Sequence, residues 1–184
     1  RELMRMDIPV YADKSAGFYD TTEVGTILAF FQVIDNPLQD IPMLAVLKSP
    51  VYSVESSLLL DIRLYGRGGR FYEKLVDYCE KKDAPVLLRF IADLEKWRGI
   101  AAFLPMERLL WTIYGDTGYF DYAGASPGGK VRQANLRVLL ERAAEYESTT
   151  FKGLFHFIKY IEKIKKNKTD EEGAAGLGEK DNLV

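Results

Sequence analysis

The stretch Phe151-Lys-Gly-Leu-Phe-His-Phe-Ile-Lys-Tyr-Ile-Glu-Lys-Ile164 decides the fold class. Its large apolar residues Phe151, Leu154, Phe155, Ile158, Ile161 and Ile164 recur at the three- and four-residue spacing of one helix face. Lysines gather toward its C-terminal end, where a helix dipole favours positive charge. This is the pattern of a helix packed on a core, and it repeats outward through most of the chain.

Pro127 precedes a helix through Leu136, Leu139, Leu140 and Ala143, and Pro105 precedes one carrying Leu109, Leu110, Ile113 and Tyr114. Asp83 and Pro85 open a longer helix. Its stripe is Leu87, Leu88, Ile91, Leu94 and Ala101, with Asp93, Glu95, Lys96 and Arg98 on the other face. Before it lie Arg70 to Lys81, a helix capped by Ser53 that runs through Leu64 to Gly66, and Ile41 to Lys48. Asp20 with Glu23 predicts a capping-box start for Val24, Ile27, Leu28 and Phe31, a run ended by Asn36-Pro37. One segment departs: Ile8-Pro-Val-Tyr-Ala12 reads as a short strand, followed by a turn-like Asp13-Lys-Ser-Ala-Gly17. The expected fold is mainly α, a multi-helix accessory domain with one short β-strand near the N-terminus. No internal repeat is present, which disfavours a solenoid.

With 184 residues and 47% hydrophobic content the chain can bury one sizeable core. A formal net charge of -2 gives no global cationic field, so any nucleic-acid contact must be local. One cysteine and one histidine exclude an intramolecular disulfide and a Cys/His zinc site, and a reducing, cytoplasmic compartment is expected. No apolar run approaches the roughly 20 residues of a membrane-spanning helix. Arg1-Glu-Leu-Met-Arg5 is neither an initiator segment nor a signal peptide. A Gly- and charge-rich stretch, Thr169 to Asp181, leads into Asn182-Leu-Val184, which reads as the start of a buried strand. Both ends are expected to be points of excision from a longer protein.

Gly124-Ala-Ser-Pro-Gly-Gly-Lys130 fits the first seven positions of a phosphate loop, but the eighth is Val131, where magnesium binding needs a hydroxyl. The preceding Tyr119-Phe-Asp-Tyr-Ala123 is too polar for the buried strand such a loop requires. Leu58-Leu-Leu-Asp61 imitates a magnesium-holding acidic strand inside a stretch that reads as helix. A glycine-rich loop is the better reading. His156 and Cys79 read as ordinary helix residues, and Glu107, Asp116 and Asp121 lack metal-ligand spacing. Trp97 and Trp111 have the helical spacing of core residues, ahead of any role in base stacking. No catalytic, cofactor-binding or metal-ligating residue is assigned. The candidate DNA contacts are Lys159, Lys163, Lys165, Lys166 and Lys168, with a second strip of Arg67, Arg70, Lys130, Arg132 and Arg137 beside flexible glycines. Ordinary solvation competes with that reading at every position.

Ile8-Pro-Val-Tyr-Ala-Asp13, Gly17-Phe-Tyr-Asp-Thr-Thr-Glu-Val24, Val33-Ile-Asp-Asn-Pro-Leu-Gln-Asp-Ile-Pro42 and Leu47-Lys-Ser-Pro50 together resemble the UvrD-like superfamily 1 helicases. Within them, Asn36 to Pro42, Gly128-Gly-Lys-Val-Arg-Gln-Ala-Asn-Leu136 and Thr150-Phe-Lys-Gly-Leu-Phe155 are most similar to the AddA, or RexA, subunits of bacterial AddAB helicase-nucleases. The resemblance implies that residues 1–49 belong to helicase domain 2A, 50–168 to the helical 2B insertion, and 169–184 to a linker and the start of the return into 2A. It further implies a parent that uses ATP and magnesium bound elsewhere, acts on DNA ends in recombinational repair, and pairs with an AddB/RexB-type subunit. No cofactor is expected in this chain, and no membrane. One departure concerns Ser49-Pro-Val-Tyr-Ser-Val-Glu55, where many relatives carry a glycine-rich turn that approaches duplex DNA. The alternative is a free-standing helical module that binds a protein partner.

Overall fold

A computed structural model describes residues 15–66, 68–148 and 152–178, with side chains described between Gly17 and Asn167. The helices are α1 (Ser15–Phe18), α2 (Thr22–Asp35), α3 (Asp40–Lys48), α4 (Ser56–Leu64), α5 (Phe71–Lys81), α6 (Pro85–Ala101), α7 (Met106–Thr117), α8 (Tyr119–Ala125), α9 (Gly129–Glu147) and α10 (Leu154–Gly178). The fold is mainly α. The strand expected at Ile8 to Ala12 lies outside the described residues.

Helix α2 is the axis of the packing. Val24, Ile27, Leu28, Phe30, Phe31, Val33 and Ile34 are all buried, so apolar side chains leave it on almost every side. A helix of that composition is stable only when surrounded, and α2 packs against α3, α6, α9 and α10. Around it, α6 contributes Leu87, Phe90, Leu94 and Trp97, α7 Leu109, Leu110, Ile113 and Tyr114, and α9 Leu136, Leu139, Leu140 and Ala143. Phe30 meets Trp97 edge-on at 5.5 Å, and Phe31 meets Phe157 of α10 at 6.1 Å.

Polar groups at the edge of the core are paired. Trp97 donates its indole N–H to Asp116 (2.9 Å), which also accepts from Lys96 (2.7 Å), tying α6 to α7. Tyr52 donates to Asp93 at 2.8 Å while its ring packs edge-on against Phe90 at 5.2 Å. Residues on both sides of position 50 therefore share one core. Helix α10 continues beyond Lys168, where the linker was expected to begin, as far as Gly178.

Several local expectations are corrected. Asp20 and Glu23 form no capping box: Thr21 precedes the first turn of α2 without a side-chain cap, Asp20 pairs with Lys165, and Glu23 is buried against α9. Ser53 does not cap α4; it takes a left-handed conformation (φ 49°) and donates to the Pro50 carbonyl, leaving Glu55 at the helix start. Part of the turn-like 13–17 segment is helix α1, next to which Tyr19 is buried and held by Arg142, whose guanidinium lies 4.7 Å from the Phe18 ring. Phe155 and Leu88 face solvent, and Phe157 and Phe90 take the core positions. Trp97 is buried as expected, but Trp111 is half exposed against Tyr114 and Phe120.

Candidate nucleic-acid interface

Helix α10 is divided lengthwise. Leu154, Phe157, Ile158 and Ile161 are buried on the side facing α2. On the opposite side His156, Lys159, Lys163 and Lys166 follow one another at steps of three and four residues, and all are exposed; Lys152, also exposed, lies before the helix, ahead of Gly153 (φ 91°). From His156 to Lys166 this row spans about 15 Å at 1.5 Å per residue. Phe155 and Tyr160 flank it, both partly exposed. Lys159 donates to Glu162 at 2.7 Å and lies 5.9 Å from the Phe155 ring centre.

The structure thus brings Lys159, Lys163 and Lys166 to one surface and adds His156, which sequence reading does not assign to it. Stepping the helical register three residues back from Lys159 would find it. Lys165 sits off this row, its ammonium 2.7 Å from Asp20 beyond the end of α1. The side chain of Lys168 lies outside the described residues.

The second expected strip does not form one row. Arg67 lies outside the described residues. Arg70 precedes α5, where its backbone N–H donates to Glu73 at 2.8 Å, and α5 packs with α3, α4 and α6. Lys130, Arg132 and Arg137 belong to α9, which packs with α2, α7 and α8. Lys130 and Arg137 are exposed and share one side of α9, with Arg137 set over the Phe120 ring at 5.3 Å. Arg132 turns inward, toward the Pro127 carbonyl (3.1 Å) and Glu23 (3.7 Å). Glu23 is the buried carboxylate of this junction, 5% exposed, and it accepts a 2.6 Å hydrogen bond from Asn135.

The Gly124 to Lys130 run does not fit a nucleotide. Helix α8 stands where a phosphate loop needs a strand, and Val131 offers no hydroxyl. Its glycines serve packing instead. A Cβ on Gly129 would fall on the Gly124 carbonyl, and one on Gly124 would meet the Gln133 amide, which donates to the Phe120 carbonyl at 3.2 Å. Gly128 (φ 73°) supplies the left-handed residue that turns the chain into α9. Leu58 to Asp61 is part of α4.

Burial pushes the Cys79 thiol up from its ordinary range, away from a reactive thiolate. Among the described residues no group of three or more His, Cys, Asp and Glu side chains is placed to hold a metal ion, and no helix is long and apolar enough to cross a membrane.

No family model matches the chain. Individual proteins do. Over the whole chain it is 44% identical to the A-type subunit of the ATP-dependent helicase/nuclease of Thermoanaerobacter pseudethanolicus and 46% identical to that of Clostridium perfringens. It is 42% identical, over 98% of its length, to that of Alkaliphilus metalliredigens. In each case it spans 15% of the relative's length. At that identity, sustained from end to end, the chain corresponds to one segment of the A-type subunits of ATP-dependent helicase/nucleases.

Proposed function

We propose that the chain is a non-catalytic, helical accessory segment of an ATP-dependent DNA helicase/nuclease subunit that acts in double-strand-break repair by recombination. The observation that carries this reading is the 42% to 46% identity over essentially the whole chain to proteins of that name. In it, residues 1–49 continue helicase domain 2A, 50–168 form the 2B-like domain, and 169–184 lead back toward 2A. ATP, magnesium and the nuclease centre are held by other parts of the cytoplasmic parent. The segment orients DNA or an AddB/RexB-type partner subunit while the motor works.

The α10 row is the part of the segment best suited to DNA. Its Lys159, Lys163 and Lys166 ammonium groups offer phosphate contacts without base readout, and Lys130 and Arg137 add a smaller basic site on α9. Because the formal net charge is -2, the grip of the isolated chain is weak and strongly salt-dependent. The test is duplex binding by the chain across a salt series. Reversing Lys159, Lys163 and Lys166 to Glu should lower affinity and flatten the slope of log K against log salt by roughly two to three units, at about 0.9 per phosphate contact. Unchanged affinity and slope would remove α10 from the DNA surface. ATP hydrolysis by the purified chain would count against the accessory reading as a whole.

A further inference from the structure

The solvent side of α10 is not purely basic. Phe155 is 49% exposed and Tyr160 44%, and both stand among the lysines. The Phe155 ring meets the His156 imidazole edge-on at 5.4 Å, with the Lys159 ammonium 5.9 Å from its centre. Tyr160 leans on Tyr146 of α9 at 5.2 Å, and Tyr146 rests in turn on the core residue Phe157 at 5.2 Å. Each ring is thus backed by the protein and open to solvent. They lie about 7.5 Å apart along the helix axis, so each can receive a different planar group. From Lys152 to Lys166 the sequence holds five lysines and one carboxylate, Glu162, which Lys159 engages at 2.7 Å.

The mixture of rings and cations discriminates between ligands. A lipid surface would need the apolar side of α10, and Leu154, Phe157, Ile158 and Ile161 are already buried in the core. Protein interfaces are depleted of lysine, whereas lysine is the commonest residue on this face. A DNA duplex presents base edges and phosphates, which use the ammonium groups and leave the rings idle. An unpaired strand uses both, because its free base faces stack on aromatic rings while its phosphates meet the cations. We infer that α10 binds an unpaired DNA strand, with bases stacked on Phe155 and Tyr160 and phosphates held by Lys159, Lys163 and Lys166. This rests on the proposed DNA role of the α10 row and adds the strandedness of its ligand and two residues that contact it.

The test titrates the chain with an oligothymidylate of about 20 nucleotides and, separately, with a blunt duplex at the same salt. Phe155→Leu combined with Tyr160→Leu keeps apolar bulk and removes both rings. It should weaken oligothymidylate binding about tenfold while leaving duplex affinity and the salt slope unchanged. Phe155→Trp should retain the affinity, and its emission, after subtraction of the Trp97 and Trp111 signal of the unsubstituted chain, should be quenched when the oligothymidylate binds. A ring variant that binds the oligothymidylate as tightly as the unsubstituted chain, while Glu at 159, 163 and 166 still weakens both DNAs, would overturn the stacking site and leave the phosphate-contact reading of α10 intact. Failure of the unsubstituted chain to bind either DNA would overturn both. Ring-dependent binding of polyglutamate in preference to the oligothymidylate would overturn the inference in favour of an acidic protein partner.

Discussion

At the scale of single residues, two glycines make opposite demands. Gly129 begins α9 hard against the Gly124 backbone, so Gly129→Ala forces a methyl group onto a carbonyl that no side-chain rotation can move. Overpacking of this kind should lower unfolding free energy by about 1–3 kcal/mol in urea titrations. Gly25 lies inside α2, and a Cβ added there would meet nothing within 4 Å, so Gly25→Ala should raise stability by about 0.5–1 kcal/mol through helix propensity. Asp116 sets a pH response. Burial raises its carboxyl, but hydrogen bonds from Lys96 and Trp97 and the Lys96 charge outweigh that and hold it below its ordinary 3.8. The unfolded chain therefore takes up this proton first as pH falls. The stabilisation is full above about 3.8 and is lost as pH drops toward the lower folded value, so Asp116→Asn should flatten that part of the acid limb in pH-dependent melting. Sequence reading misses these roles because each depends on what the packing of the helices places, or leaves open, around the residue: Gly124 and Gly129 look like phosphate chemistry until α8 is seen packed against α9.

At the scale of elements, eight helices were legible from apolar spacing and from Pro37, Pro85 and Pro105, because these signals lie within a few residues of what they control. Caps were less legible. Asp20 and Glu23 have the spacing of a capping box, yet Glu23 finds Asn135 and Arg132 across the core, contacts that no local rule contains. The short helices α1 and α8 had no periodicity to reveal them, being only 4 and 7 residues long. The α10 lysines were found by composition, but which of them share a face depended on register. The far end of α2 is closed in the same long-range manner. Arg98 of α6 donates to the Ile34 carbonyl at 2.8 Å, one of the terminal acceptors that α2 cannot satisfy itself. Arg98→Met keeps the packing stem and removes the donors, and should cost about 1–2 kcal/mol in chemical denaturation. A loss near zero would mean that water replaces the guanidinium.

At the scale of the whole molecule, the family-based division at residue 50 and the packing make different demands. The division assigns α2 and α3 to one helicase domain and α4 onward to another, yet α2 is the helix around which α6, α9 and α10 are arranged. Removing it would take Phe30 from Trp97 and Phe31 from Phe157 and uncover the faces of α3, α6, α9 and α10 that pack on it. Exposing that many large side chains costs several times the roughly 1.5–3 kcal/mol of one, which approaches or exceeds the net stability of an ordinary domain. A chain restricted to residues 50–168 should therefore fail to fold cooperatively, while residues 15–178 should unfold in one transition by both circular dichroism and tryptophan fluorescence. Two separated transitions in the longer chain, with the later one reproduced by 50–168 alone, would instead establish the residue 50 boundary as a folding boundary. The first outcome would mean that the proposed domain boundary and the folding unit do not coincide, and that any hinge motion of the proposed accessory domain lies outside the α2-centred core.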